Sequence, residues 1–222
     1  MNSLLMQAFP YLTWVGSLII LTGTIISMIP YRDRNGERYS MLNHFISELG
    51  EVGVSKNAWG FNTGMKIGGW LFLPLMIALG IKLSSILGWI GAGLGMVSGV
   101  AVAMVGVFSM ERLTMHRKAA MTFFHSGLYS ILVFTIAIFA QPAGERVLPL
   151  GLNIAGLFAI ACFSAFLIKV YSKTDKNKNP TYILDPNALP QRPRVWWTAV
   201  LEWGIFFSIQ AWFITAAILT FR

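Results

Sequence analysis

The sequence predicts an all-α integral membrane protein, a single domain built as a bundle of six transmembrane helices. Two observations support this fold class. The chain of 222 residues is 55% hydrophobic and only 12% charged, with a mean hydropathy of +0.63, which is more apolar surface than one soluble domain can bury. It also contains six uniformly apolar runs of about 20 residues, the length that crosses a bilayer core. The strands of a membrane barrel would instead alternate over about ten residues.

The predicted spans, in order, are residues 12–30, 63–81, 85–108, 119–140, 148–171 and 195–221. No basic residue precedes the first span and no small-residue cleavage pattern follows it, so we expect a retained helix rather than a signal peptide. Gly91, Gly95 and Gly99 recur every four residues in the third span, a spacing that lets another helix approach closely. This row is a candidate contact for a helix of the bundle or of a partner protein. Cys162 is the only cysteine, which excludes an intrachain disulfide.

The basic residues are distributed asymmetrically between the two ends of the predicted bundle. Thirteen of the 17 Lys and Arg residues fall in the first, third and fifth connections, three fall on the opposite side, and Lys66 lies within the second span. The positive-inside rule therefore predicts that these three loops are cytoplasmic and that both termini are outside. Because the charges are dispersed between spans and form no single stripe, we expect membrane lipids as partners and no nucleic acid.

The first loop contains the segment "MLNHFISELGE", residues 41–51, which is too apolar to be fully solvated. We expect a short helix lying at the membrane interface. His44, Ser47 and Glu48 are three and four positions apart, so on an α-helix they share one face.

Ionisable residues inside membrane spans are costly and mark functional sites by default. Lys66, His125 and Glu202 lie in the second, fourth and sixth spans at nearly the same depth, about 6 to 10 Å below one face. We therefore expect them to meet, with Glu111 and His116 near the same face. Alternatively, Lys66 extends to the surface or pairs with Glu202, and His125 bonds a backbone carbonyl.

These residues suggest several chemistries. His44, Glu111 and His116 are candidate ligands for a divalent metal such as zinc, although no compact HExxH or CxxC motif is present. His116 and His125 are nine residues apart and point to opposite sides of a continuous helix, so they share a metal only if His116 lies in the loop. A Ser47 nucleophile assisted by histidine is an alternative that lacks a GxSxG motif.

Three longer motifs carry a family resemblance. The segments "HFISELG", "WGFNTGMKIGGWLF" and "ERLTMHRKAAMTFF" resemble the bacterial domain-of-unknown-function 998 family of six-pass membrane proteins. Its most specific elements here are residues 46–50, the Phe61-Asn62 pair, and His116 before a helix. More remotely, the same order is similar to damage-regulated autophagy modulators and to proteins that remodel the lipid of glycosylphosphatidylinositol anchors. The resemblance implies a bacterial inner-membrane protein with a lipid-related role.

Three hypotheses of function follow. In the first, the protein binds a lipid or lipid-linked headgroup at the cytoplasmic leaflet and, if it is an enzyme, modifies that headgroup. The candidate catalytic residues are then His44, Ser47, Glu48 and His116, and the candidate binding residues are Asn62, Lys66, His125 and Glu202, with Lys66 meeting a phosphate. The second hypothesis is a small transporter that uses Lys66, His125 and Glu202 as a buried relay. The third is a structural subunit that packs against its partners through the glycine row.

Overall fold

The computed structural model describes residues 2–172 and 192–220, with side chains from residue 4 onward. Within these ranges the chain forms six long helices, each apolar enough to cross a membrane, and no β-strand beyond one isolated bridge between Arg32 and Arg38. The predicted all-α fold with six spans is therefore confirmed. The helices are α1 Asn2–Met28, α2 Ala58–Leu83, α3 Ile86–Val107, α4 Leu113–Ala140, α5 Leu152–Tyr171 and α6 Trp197–Thr220.

Three helices begin well before their predicted starts, and for α2 the start moves from residue 63 to Ala58. α1 continues through Pro10 to Asn2, since neighbouring groups in a membrane bundle tolerate a proline inside a helix. α4 begins at Leu113, directly after a short 3₁₀ helix, Met110–Arg112. Its first turns include Arg117 and Lys118, which are exposed. Long basic side chains at a helix end keep their charge in water while the backbone is already helical.

The helices form a closed ring, because each packs against the next in sequence and α6 packs against α1. The connection between α2 and α3 is the tightest: Ser84 adopts a left-handed conformation with φ 46°. Ser85 then begins α3, its hydroxyl accepting a hydrogen bond from the Gly88 N–H at 3.1 Å. This is the usual way to satisfy a free donor at a helix start.

The glycine row of α3 packs against α2 and α4 of the same chain. A methyl group on Gly99 would lie 2.9 Å from the carbonyl oxygen of Gly69 on α2, and one on Gly91 would lie 3.2 Å from the ring of Phe134 on α4. Gly95 lies between these two contacts and faces Met76 and Ser130. The row therefore lets three helices of the bundle approach closely, as small residues do in membrane proteins.

Apolar packing inside the ring is divided into three clusters. The largest lies toward the start of α1 and is centred on Phe9, Leu79, Phe134 and Trp212. A second joins α4, α5 and α6 through Phe124, Phe163 and Ile205. The third lies beneath the first loop and includes Tyr31, Ile46, Leu49, Phe61 and Trp203.

The first loop, residues 29–57, contains a one-turn 3₁₀ helix, Ile46–Gly50, where the sequence predicts an interfacial helix. All five of its residues are buried, and it contacts α1, α2 and α6. This element is a plug against one end of the bundle, so a helix lying at the membrane interface is not confirmed. We call this end of the bundle the loop end.

Candidate functional site

A buried network of charged residues joins the first loop to Arg192, which lies five residues before α6. The Arg192 guanidinium donates to both oxygens of Glu48, from Nη1 to Oε1 at 3.1 Å and from Nη2 to Oε2 at 2.6 Å. Its Nε donates to Oδ2 of Asp33 at 3.3 Å. The side chains of Arg192, Asp33 and Glu48 are 4%, 2% and 1% exposed. We call Asp33, His44, Glu48 and Arg192 the loop network.

Asp33 is positioned by its own turn. Its Oδ1 accepts hydrogen bonds from the backbone N–H groups of Asn35 at 2.8 Å and Glu37 at 2.9 Å. Gly36, with a φ of +80°, allows the chain to reverse within this turn. The other carboxylate oxygen is thereby directed toward Arg192.

Glu48 holds the start of the 3₁₀ helix. Its Oε1 accepts from the backbone N–H of Phe45 at 2.8 Å, the reciprocal contact of a capping box. Its Oε2 accepts from the hydroxyl of Tyr31 at 3.2 Å. Glu48 therefore fixes the start of the 3₁₀ helix, and Arg192 neutralises the carboxylate of Glu48.

Aromatic side chains exclude water from the loop network. The Tyr39 hydroxyl donates to the carbonyl of Phe45 at 2.9 Å and accepts from Nε1 of Trp203 at 3.1 Å. The Tyr31 ring meets those of Tyr39 and His44 edge to face, with centroids 5.1 Å and 5.5 Å apart. The first loop and α6 therefore share one buried interface.

Burial shifts the pKa values of this network. The pKa of Glu48 is raised by burial, and Arg192 opposes that shift. Burial, followed by the positive charge of Arg192, lowers the pKa of His44 to about 4. Burial also raises the pKa of Tyr39 well above its ordinary value, with a smaller contribution from Glu48. His44 is therefore neutral at physiological pH, with Arg192 as the cation of the loop network.

A cavity of about 80 Å³ lies on the inner side of the 3₁₀ helix, toward the centre of the bundle. Glu202 and Gln210 line its two ends on α6, eight residues or about 12 Å apart along the helix. The intervening wall is almost entirely apolar and aromatic, contributed by α1 to α4 and α6, and includes Ile20, Phe61, Met65, Phe72, Val102, Phe123, Ile205 and Phe206.

Three polar side chains from different elements line the cavity near the loop end: Ser47, His116 and Glu202. His116 on α4 donates from Nδ1 to the carbonyl of Phe108 at 2.7 Å; a carbonyl can only accept, so Nδ1 carries the proton and Nε2 is an acceptor. Glu202 accepts through Oε2 from the backbone N–H of Ile46 at 2.8 Å. Glu202 thereby links α6 to the same 3₁₀ helix that Glu48 caps. We call these three residues the cavity head.

The predicted shared face of His44, Ser47 and Glu48 is wrong. Ser47 lines the cavity, whereas His44 and Glu48 belong to the loop network. Ser47 and Glu48 are adjacent and diverge by about 120° on a 3₁₀ helix, and a face shared with His44 would require all three residues to lie in one helix. His44 precedes the helix altogether.

The predicted meeting of Lys66, His125 and Glu202 is also wrong for the described residues. Lys66 runs beside Gly106 of α3, and His125 bonds the carbonyl of Met121 and the Tyr171 hydroxyl, at 2.7 Å and 3.0 Å. The expected carbonyl contact of His125 is therefore confirmed. An ion pair between Lys66 and Glu202 is not observed among the described residues. The contacts of Lys66, His125 and Glu202 are therefore made on different faces of their helices.

Asn62, a predicted binding residue, and Glu111, a predicted metal ligand, each bond to a nearby group of the protein itself. Asn62 donates from Nδ2 to the carbonyl of Gly50 at 3.0 Å, holding the end of the 3₁₀ helix. Glu111 accepts from the Ser109 hydroxyl at 2.6 Å. His116 lies within α4, not in the loop before it.

No group of three His, Cys, Asp or Glu side chains is arranged to hold a metal ion within residues 2–172 and 192–220. The predicted ligands His44, Glu111 and His116 instead have separate partners, described above. The arrangement does not fit a shared metal site.

The residues that sequence reasoning missed are those that complete the loop network. Asp33 and Arg192 are 159 positions apart, and in the sequence each resembles any other charged loop residue. Tyr31, Tyr39 and Trp203 carry no pattern that distinguishes them from aromatic residues anchored at a membrane interface. The one usable signal is the spacing of Asp33 before Asn35 and Gly36, which is typical of a turn.

The model of one family, described as a protein of unknown function (DUF998), matches residues 14–219. Comparison with curated proteins and with solved structures finds no match. The matched residues include helices α2 to α5 in full, the loop network and the cavity head. The chain therefore belongs to the DUF998 family of proteins of unknown function.

Proposed function

We propose that this membrane protein binds a single-chain amphiphile in the cavity, with the polar head at the loop end. The observation that carries the proposal is the composition of the cavity, whose wall is apolar except for the three residues of the cavity head at the loop end and Gln210 at the opposite end. Binding sites for small molecules commonly combine an apolar enclosure with a few convergent polar groups.

The volume limits the ligand. A cavity of about 80 Å³ takes the head and the first few methylene groups of one chain, and a longer chain would continue between helices into the surrounding lipid. Each buried methylene contributes about 0.8 kcal/mol. This favours a single-chain amphiphile over a bulky double-chain lipid held entirely inside the bundle.

Binding is better supported than catalysis. Ser47 makes no hydrogen bond with His116 among the described residues, whereas a serine nucleophile needs a base within about 3 Å. A transport relay through Lys66, His125 and Glu202 is less well supported, since His125 and Glu202 bond to separate backbone groups and the side chain of Lys66 passes Gly106 of α3.

The orientation of the head remains part of the proposal. The asymmetry of the basic residues favours a cytoplasmic loop end. In a Cys162→Ser background, Glu37→Cys reports on the first loop and Gly144→Cys on the opposite side; both positions are exposed. An impermeant maleimide should label Gly144→Cys in intact cells and Glu37→Cys only after permeabilisation. The reverse pattern would place the head on the outer side.

The binding test uses the purified full chain in nonionic micelles and a hexanol carrying a diazirine near its far end. Photolabelling should map to cavity-lining peptides of α2, α4 and α6. Ala120 lines the cavity, so Ala120→Leu should reduce this labelling about tenfold by filling it. The matched control is Ala161→Leu, on the exposed face of α5, which should leave it unchanged. Labelling spread over outer faces and insensitive to Ala120→Leu would refute the proposal.

A further inference from the structure

The cavity head offers hydrogen-bond acceptors. The proton on Nδ1 of His116 is committed to the Phe108 carbonyl, which leaves the Nε2 lone pair as the free function of a ring that is 4% exposed. The Ser47 hydroxyl can donate or accept. A ligand head that donates a hydrogen bond therefore has two acceptors among the residues that line the cavity.

Glu202 adds an acid to this acceptor set. It is 8% exposed and accepts hydrogen bonds from the backbone N–H groups of Ile46, through Oε2, and of Ser47. A carboxylate has about four acceptor sites, so acceptor capacity remains. A buried acid with spare acceptor capacity favours a donor or a cation beside it.

No Lys or Arg is among the residues that line the cavity. Lys66 is not a lining residue, and its side chain passes Gly106 of α3. Arg192 is bonded to Asp33 and Glu48 in the loop network. An anionic head placed beside Glu202 would have no cation to neutralise it, which is costly in a buried site.

We infer that the head of the ligand is an uncharged or cationic hydrogen-bond donor, a hydroxyl or a primary ammonium group, and not a phosphate or carboxylate. This inference rests on the proposed function, because it names the chemistry of the group bound in the same cavity. It also departs from the expectation that Lys66 meets a phosphate. The donor lies between His116 Nε2 and the Glu202 carboxylate, with Ser47 as a third partner.

The test is a competition among ligands with one chain and different heads. Hexylamine, hexanol, hexanoate and hexyl phosphate compete with the diazirine probe for the cavity of the full-length protein. Hexylamine and hexanol should compete at least tenfold more strongly than either anion, since one charge-assisted hydrogen bond is worth about a factor of ten. Strong competition by the amine alone identifies an ammonium site, and by the alcohol alone a hydroxyl site; either supports the inference.

Glu202→Gln sharpens the test. Glutamine keeps an oxygen for the Ile46 N–H, so the 3₁₀ helix retains its contact while the acid is lost. If hexylamine competes in the parent protein, it should compete about tenfold more weakly in Glu202→Gln. Hexanol should compete equally well in both proteins. A thermal unfolding scan of the variant checks that the fold is kept. Competition by hexanoate or hexyl phosphate equal to that of hexylamine and hexanol overturns the inference, while cavity labelling itself still supports the proposed function. Absent cavity labelling overturns both.

Discussion

Replacing Arg192 with methionine should destabilise the protein severely and in a pH-dependent way. The change removes three charge-assisted hydrogen bonds to acids, two to Glu48 and one to Asp33. At about 1.5 kcal/mol each, the loss is about 4.5 kcal/mol, in line with the roughly 3 to 5 kcal/mol that breaking a buried ion pair costs. Both acids remain buried, with only their backbone and tyrosine donors left.

The pH dependence follows from the pKa of Glu48. Burial raises that pKa, and Arg192 opposes the shift, so Arg192→Met should raise it further. A raised carboxyl pKa contributes stability at low pH that is lost as the pH rises through the folded-state pKa. The deficit of Arg192→Met should therefore be largest near pH 8 and shrink by about pH 5, as Glu48 binds a proton.

Guanidinium unfolding in micelles, followed by tryptophan fluorescence, measures the deficit, because Trp203 contacts the network through Tyr39. The control is Arg194→Met, two residues away, whose side chain is exposed; it should change the unfolding free energy by less than about 0.5 kcal/mol. A deficit for Arg192→Met below about 1 kcal/mol, or one that does not change between the two pH values, would refute the reasoning.

Two further predictions concern the loop network and the glycine contacts. The pKa of His44 is lowered to about 4, so its contribution to stability is complete above about pH 6.5 and is lost as the pH falls toward 4; that shift is worth about 3 kcal/mol. His44→Gln should flatten the acid limb of the thermal unfolding profile, whereas His125→Gln should leave it unchanged, and equal profiles for His44→Gln and the parent would contradict the assignment. A methyl group on Gly69 would overlap the α3 backbone, lying 2.6 Å from the carbonyl oxygen of Gly99, whereas one on Gly93 meets nothing within 4 Å. Gly69→Ala should lower the melting temperature by several degrees and Gly93→Ala should not; equal effects would show that α2 and α3 can separate at no cost.

Much of the fold was predictable from the sequence, because apolar run length alone fixes the number of membrane spans. The start of α4 was not, since "HRKAA" is basic enough to read as a loop while its side chains extend to the surface of a regular helix. Spans defined by hydropathy mark the apolar part of a helix, and the helix itself continues beyond it.

The site was predictable in location and only partly in composition. Depth placed Glu202 and His116 near the first loop, and both line the cavity with Ser47. The predicted shared face of His44, Ser47 and Glu48 was wrong because the spacing argument assumed one α-helix through all three residues, whereas the chain forms a 3₁₀ helix that begins only at Ile46. Arg192 could not be assigned at all, since its pairing with Glu48 spans 144 positions and leaves no local pattern.

That long-range pairing has a consequence for synthesis in the membrane. Helices enter in order from the N-terminus, so α1 to α5 are made while the ring is still open between α5 and α1. Asp33 and Glu48 lack their guanidinium until Arg192 is made, and the Ile46 N–H lacks its acceptor until Glu202 follows. The last helix therefore completes both the ring and the charge balance of the first loop. A nascent chain halted before Arg192 would leave Asp33 and Glu48 without the guanidinium that bonds both of them in the finished fold.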